Sequence, residues 1–290
     1  IMNAVFDLGS VDDPEVLAEL TAPEEEVVVV EKNQKFLVRD VAGPDDLNFT
    51  DDEGDEVFVL ANQPNDNRID AGSGDDVIVG GYGIDEVNGG SGADYIRGSG
   101  GNDVLNGDIG SDTLIGDEGF DILDGGQGTD TADYSDITEQ LVVDLSVTDA
   151  KGYASAVIDP IGDNYEVDQL INIENIIGGA NNDIITGDEN ANVLKGGAGD
   201  DIIAGLGGND QIFGGDGIDT VDYSGESQGL VADFSAGVQI TVGPGNVDTL
   251  DSIENIIGTA FDDEIGGSDE DNLLVGGDGN DLLRGGGGND

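Results

Sequence analysis

Apolar residues recur at every ninth position from residue 78 to residue 132: Ile78, Val87, Ile96, Leu105, Leu114, Leu123 and Ala132. They hold the eighth place of seven consecutive nonapeptides that run without a break in register over Ala71–Asp133. Those nonapeptides read AGSGDDVIV, GGYGIDEVN, GGSGADYIR, GSGGNDVLN, GDIGSDTLI, GDEGFDILD and GGQGTDTAD. The fourth place is Gly and the sixth is Asp in all seven, and the first is Gly in six. Chance does not hold such a phase over 63 residues, so the pattern predicts a repeat architecture.

The nonapeptide has a direct physical reading. Glycine at the first, second and fourth places permits positive φ and close backbone approach, so the first six residues form a tight loop. The last three alternate outward, inward, outward, which is a short strand with one buried side chain. Two such units close one flattened turn of 18 residues. Successive turns then stack as parallel strands about 4.8 Å apart, with the eighth-place aliphatics laddered inside. One buried aliphatic side chain for every nine ordered residues is a thin core, so the loops must add stability of their own.

The same period organises the rest of the chain. Residues 62–70 form a degenerate lead-in, with Asn67 at the sixth place and Ile69 at the apolar one, so the first array spans 62–133. A second array covers 178–222 and a third begins at 258, ending in the partial repeat GGGGND at 285–290. In both later arrays the second repeat is weakened, Asn192 and Asn272 replacing Asp. Connectors at 134–177 and 223–257 resemble each other: Asp133-Tyr134-Ser135 matches Asp222-Tyr223-Ser224, and the motif IENIIG occurs at both 173–178 and 253–258. Their lengths, one short of a multiple of nine, predict a coil that continues through them with irregular turns, around strand-like cores at 141–146 and 230–235. Residues 1–61 differ, with only three glycines. There Val16–Leu20 suggests a short helix, and Val27–Val30, Phe36–Val38 and Glu56–Leu60 read as strands. A small β-rich cap over the open end of the stack and a linker from an upstream domain both fit this segment. The end of the sequence within a repeat suggests a piece of something longer.

Composition narrows the chemistry. Of 50 glycines, 47 follow residue 61, and acids outnumber bases 65 to 8 for a formal charge of -57. Such a surface repels nucleic acid and anionic lipid and attracts cations. Histidine, cysteine and tryptophan are absent, which removes Ser-His-Asp and Cys-His catalysis, thiolate metal sites and disulfides. No apolar run is long enough to span a membrane, and residues 1–10 lack the features of a secretory signal.

The carboxylates therefore carry the candidate chemistry. Stacking brings the sixth-place Asp of one repeat near that of the second repeat after it, with carbonyls of the glycine segment between them. A set of carboxylate and carbonyl oxygens, without nitrogen or sulfur, suits a hard cation taking six to eight oxygens. That is Ca²⁺ rather than Mg²⁺. The candidate ligands are Asp76, Asp85, Asp94, Asp103, Asp112, Asp121, Asp130, Asp183, Asp201, Asp210, Asp219, Asp263, Asp281 and Asp290.

The pattern G-G-x-G-x-D-x-U-x, with U apolar, resembles the signature of the RTX (repeats-in-toxin) family, and the IENIIG connectors are similar to those between RTX arrays. The resemblance implies an all-β, right-handed parallel β-roll (a β-helix or solenoid) with calcium in the turns. It also implies a secreted bacterial protein exported by a type I system. Pairing each repeat with the second after it gives about ten Ca²⁺ ions. At extracellular-type affinities the sites are empty in the cytosol and filled outside, so folding would wait for calcium.

Competing readings are weaker. The glycine pairs that begin dinucleotide fingerprints are not followed by a helix. Adjacent carboxylates such as Asp75-Asp76 and Asp200-Asp201 recur at loop positions instead of converging on one pocket, which disfavours glycosidase chemistry. Third-place residues Ser73, Tyr82, Ser91, Gly100, Ile109, Glu118 and Gln127 form no uniform rank for ice binding. The expectation is a non-enzymatic structural module at the cell surface or outside the cell: adhesin, surface layer or extracellular filament. Its partners would be calcium, with other copies of itself or surface polysaccharide. The alternatives are a non-catalytic appendage of a secreted protease, lipase or polysaccharide epimerase, or part of a toxin.

Overall fold

A computed structural model describes residues 65–147, 153–158, 165–234, 239–243 and 245–290, together with the backbone of strands at 27–31, 34–38, 46–48 and 55–59. The described residues are all β, with no helix among them. The expected helix at 16–20 lies outside them.

Strands pair in parallel with an offset of 18 residues, as in Ile78↔Ile96 and Val87↔Leu105, so two nonapeptides close each turn of a parallel β-solenoid. The chain divides into two compact units: residues 1–132 with Val167–Ile173, and residues 133–166 with 174–290.

In the first unit one sheet stacks Asp55–Val59, Val77–Gly81, Tyr95–Gly100, Thr113–Glu118 and Thr131–Asp133. The other stacks Asp46–Asn48, Arg68–Ser73, Glu86–Ser91, Val104–Gly110, Ile122–Asp124 and Glu166–Ile171. The strand pair Val27–Glu31 and Gln34–Val38 is antiparallel, and Gln34–Val38 continues in parallel onto Asp55–Val59. The strands from Arg68–Ser73 to Thr113–Glu118 reach five to seven residues instead of three, because backbone pairing continues through the first residues of the next repeat, as in Gly72↔Gly90.

The core is the eighth-place ladder. Ile78, Val87, Ile96, Leu105, Leu114, Leu123 and Ala132 are all at most 1 % exposed. In the second unit Ile185, Leu194, Ile203, Ile212, Val221 and Ile265 are equally buried. Ile176 and Ile256 of the two IENIIG motifs join this set.

The connectors depart from a simple coil. Each carries strands, but each also reverses the chain within a sheet. Leu141–Asp144 runs parallel to Ile184–Thr186 and antiparallel to Ala154–Ile158. Leu230–Asp233, Gln239–Val242 and Asn246–Asp251 form an antiparallel meander whose outer strands pair in parallel with Glu264–Gly266 and Gln211–Asp216. The second reversal of the meander turns between Val242 and Asn246 on Gly243 and Gly245, whose φ values of 60° and 97° favour glycine. A chain segment that leaves a strand with too few residues for a full circuit returns through a hairpin instead. Tyr134 and Tyr223, the first residues of the two connectors, are buried, whereas Tyr82 and Tyr165 are exposed.

Candidate metal centre

The turns give the three glycine places separate roles. At the second place of most turns the backbone is left-handed; at Gly90 (φ 105°) an added Cβ would also stand 2.0 Å from the Gly72 carbonyl oxygen. At the fourth place a Cβ on Gly92 would stand 1.7 Å from the Gly74 oxygen of the turn below. The first place leaves room for a carboxylate. A Cβ on Gly98 would meet the Asp103 Oδ2 at 2.3 Å and the Gly116 carbonyl oxygen at 3.0 Å. On Gly196 it would meet the Asp201 Oδ2 at 2.2 Å and the Gly214 oxygen at 2.6 Å. Oxygen atoms of two stacked turns thus face one small space.

Sixth-place aspartates line up in ranks, and their side chains stitch the turns together. The N–H of Asp76 donates to Asp94 Oδ1 at 2.8 Å, Asp94 to Asp112 at 2.8 Å and Asp112 to Asp130 at 2.8 Å. On the other edge Asn67 donates to Asp85, Asp85 to Asp103 and Asp103 to Asp121, at 2.7–2.8 Å. In the second unit Asp183 donates to Asp201, Asp201 to Asp219, Asn192 to Asp210 and Asp263 to Asp281. The N–H of Asn272 donates to Asp290. Asp281 is half-buried and Asp290 exposed, while the other twelve sequence candidates are at most 4 % exposed.

The ranks extend beyond the nonapeptides. Asp121 donates to Asp168 Oδ1 at 3.0 Å and Asp210 to Asp248 Oδ1 at 2.9 Å. Both connector aspartates are wholly buried. The sequence candidates did not include them. Their signal was the fragment D-x-U at Asp168-Gln169-Leu170 and Asp248-Thr249-Leu250, each five residues before an IENIIG motif. Glu254 takes the sixth place in the next rank, its Oε2 accepting the Asp219 N–H at 2.8 Å.

One oxygen of each carboxylate is thereby satisfied. The other is the chemical question. The Oδ2 atoms of Asp85, Asp94, Asp103, Asp112, Asp201, Asp210 and Asp219 are buried without a hydrogen-bond partner. A buried, unpaired carboxylate is costly and normally takes up either a proton or a cation. Burial, opposed by the backbone hydrogen bond and reinforced by neighbouring carboxylates, pushes Asp85, Asp112, Asp201 and Asp219 up to about 6. By the same causes Asp94 and Asp103 rise to about 7 and Asp210 to about 8. Among the described residues no group of three or more acidic side chains converges on a single point. An ion here would therefore be held by one or two carboxylates and by backbone carbonyls. That donor set, hard and oxygen-only, fits Ca²⁺.

A parallel β-solenoid whose glycine turns bury ranked carboxylates defines a class of calcium-binding repeat protein. The chain belongs to the RTX calcium-binding nonapeptide repeat family, whose model matches residues 64–96, 79–114, 106–135, 172–193, 186–221 and 257–290, together more than half of the chain. No curated protein matches it. Among the described residues no helix is long and apolar enough to cross a membrane.

Proposed function

We propose that the chain is a calcium-binding structural module of a secreted or cell-surface protein, and that its repeats fold as calcium fills the turns outside the cell. The ligating carboxylates are Asp76, Asp85, Asp94, Asp103, Asp112, Asp121, Asp130, Asp201, Asp210 and Asp219, with Asp281 and Asp290 in the same sequence pattern and Asp168 and Asp248 extending the ranks. The observation that carries this reading is the row of buried Oδ2 atoms that no hydrogen bond satisfies. Each calcium ion supplies two positive charges at such a point, and the turn's carbonyl oxygens complete its shell.

Few charged ligands per ion imply weak sites, with Kd of about 10⁻⁴–10⁻³ M. Micromolar calcium leaves them empty. Millimolar calcium fills them, each adding about 1 kcal/mol to stability by mass action. The multiple arrays, joined by similar connectors and lacking histidine and cysteine, favour a structural role such as adhesin, surface layer or filament.

Far-UV circular dichroism of the purified chain against calcium concentration tests the proposal. The β signal is expected to appear cooperatively between micromolar and millimolar calcium. Full β content in excess chelator would contradict it.

A further inference from the structure

The repeat turns are of two kinds, and the residue at the fourth place separates them. In twelve turns the fourth place is Gly, from Gly74 to Gly128, Gly199 to Gly217, and Gly279 and Gly288. All twelve have a left-handed second place, even where that residue is Ser99, Asp108, Asp117 or Leu206. Among the repeats whose turns are described in full, four have another residue at the fourth place: Asn181, Asn190, Phe261 and Glu270. In these four the second place, Gly179, Asp188, Thr259 or Ser268, lies outside the left-handed region.

That backbone difference redirects one N–H. In the four exceptional turns the second-place amide donates to the sixth-place side chain of its own turn. Gly179 donates to Asp183 Oδ2 at 2.8 Å and Thr259 to Asp263 Oδ2 at 2.7 Å. Asp188 donates to Asn192 Oδ1 at 2.9 Å and Ser268 to Asn272 Oδ1 at 2.7 Å. The oxygen that lacks a partner at Asp94, Asp103 or Asp201 is therefore satisfied within the turn.

A second observation points the same way. Two of the four turns carry Asn instead of Asp, and the Asn amide is itself used as a donor. Asn192 Nδ2 donates to the Glu174 carbonyl at 2.7 Å and Asn272 Nδ2 to the Glu254 carbonyl at 2.8 Å. An amide proton bound to a turn carbonyl does the work of a cation at that oxygen, without needing calcium.

We propose that these four closed turns, 178–183, 187–192, 258–263 and 267–272, hold no cation, and that the fourth-place glycine is what opens a turn to calcium. The proposal rests on the calcium reading above. It removes Asp183 and Asp263 from the ligand set expected from sequence. The closed turns come in pairs at the start of the second and third arrays, directly after each IENIIG motif. Each re-entry into a repeat run is thus built from turns that are complete before calcium arrives, and calcium loading begins at the third turn of each run.

Calcium stoichiometry of the full chain by equilibrium dialysis tests this, with circular dichroism to verify the fold of each variant. Asn192→Asp alone restores the consensus carboxylate in a closed turn and is expected to add no ion. The double variant Asn190→Gly/Asn192→Asp is expected to add one. Glu270→Gly/Asn272→Asp, set against Asn272→Asp, repeats the comparison in the third array should the first pair fail to fold. A gain of one ion in either single variant, or no gain in a folded double variant, overturns the proposal. Absence of calcium binding by the unmodified chain overturns the calcium reading itself, and this inference with it.

Discussion

The first array and the meander of the second connector solve the same problem differently. Over residues 71–133 every strand is parallel to its neighbours, each repeat buries one eighth-place side chain, and one buried carboxylate oxygen at residues such as Asp94 and Asp103 has no hydrogen bond. In the meander, Leu230–Asp233, Gln239–Val242 and Asn246–Asp251 pair antiparallel through adjacent strands. They bury Leu230, Ala232, Ile240, Val242 and Leu250 within 22 residues. There five apolar side chains close the structure on local pairings. The array buries eleven across 63 residues, a thinner core, and adds to it the buried carboxylates. On the proposed calcium reading, calcium dependence is expected of the open turns and not of the meander.

Acid is expected to sharpen this contrast most. The array carboxylates Asp85, Asp94, Asp103 and Asp112 sit at about 6 to 7 in the folded chain against 3.8 when unperturbed. Folding without calcium therefore takes up protons, and stability falls as pH rises through that range. The penalty is complete above about pH 8 and absent near pH 4. In chelator, β content should rise as pH is lowered from 8 towards 4.5, and the calcium concentration at half-folding should fall over the same interval, because protons and calcium stabilise the same buried carboxylates of the folded chain. Circular dichroism titrations at several pH values read both effects. A calcium midpoint independent of pH would show that these carboxylates do not ligate the ion.

Core truncation gives a smaller and more local effect. Leu105→Ala removes a wholly buried rung of the array and should cost about 2–5 kcal/mol. In the calcium-loaded chain this appears as a lower urea midpoint, and in a calcium titration as a higher calcium requirement. Ile240→Ala, in the meander, should lower the urea midpoint while leaving the calcium requirement of the array unchanged. Equal shifts of the calcium midpoint in both variants would erase the distinction between the two regions.

Much of this was legible in the sequence because the repeat couples composition to geometry. The nine-residue period sets the 18-residue turn, the inward Ile, Val and Leu, and the rank of sixth-place Asp. Three features were not legible. The cores at Leu141 and Leu230 read as strands, but strand direction depends on where the chain goes next, and that produced the antiparallel insertions. Asp168 and Asp248 lay in segments without the glycine frame, so only the short fragment D-x-U marked them as rungs of the ranks. The exceptional residues Asn181, Asn190, Phe261 and Glu270 were visible as departures from consensus. Their effect, a second-place N–H turned onto the carboxylate, required the backbone to be seen.

Hydrogen exchange with mass spectrometry, in millimolar calcium and in excess chelator at pH 8, tests the central claim most directly. With calcium, amides of residues 71–133 should exchange slowly. In chelator they should exchange at the rate of an unfolded chain, while those of 239–242 and 246–251 retain measurable protection. Equal protection of residues 71–133 in the two conditions would contradict the account.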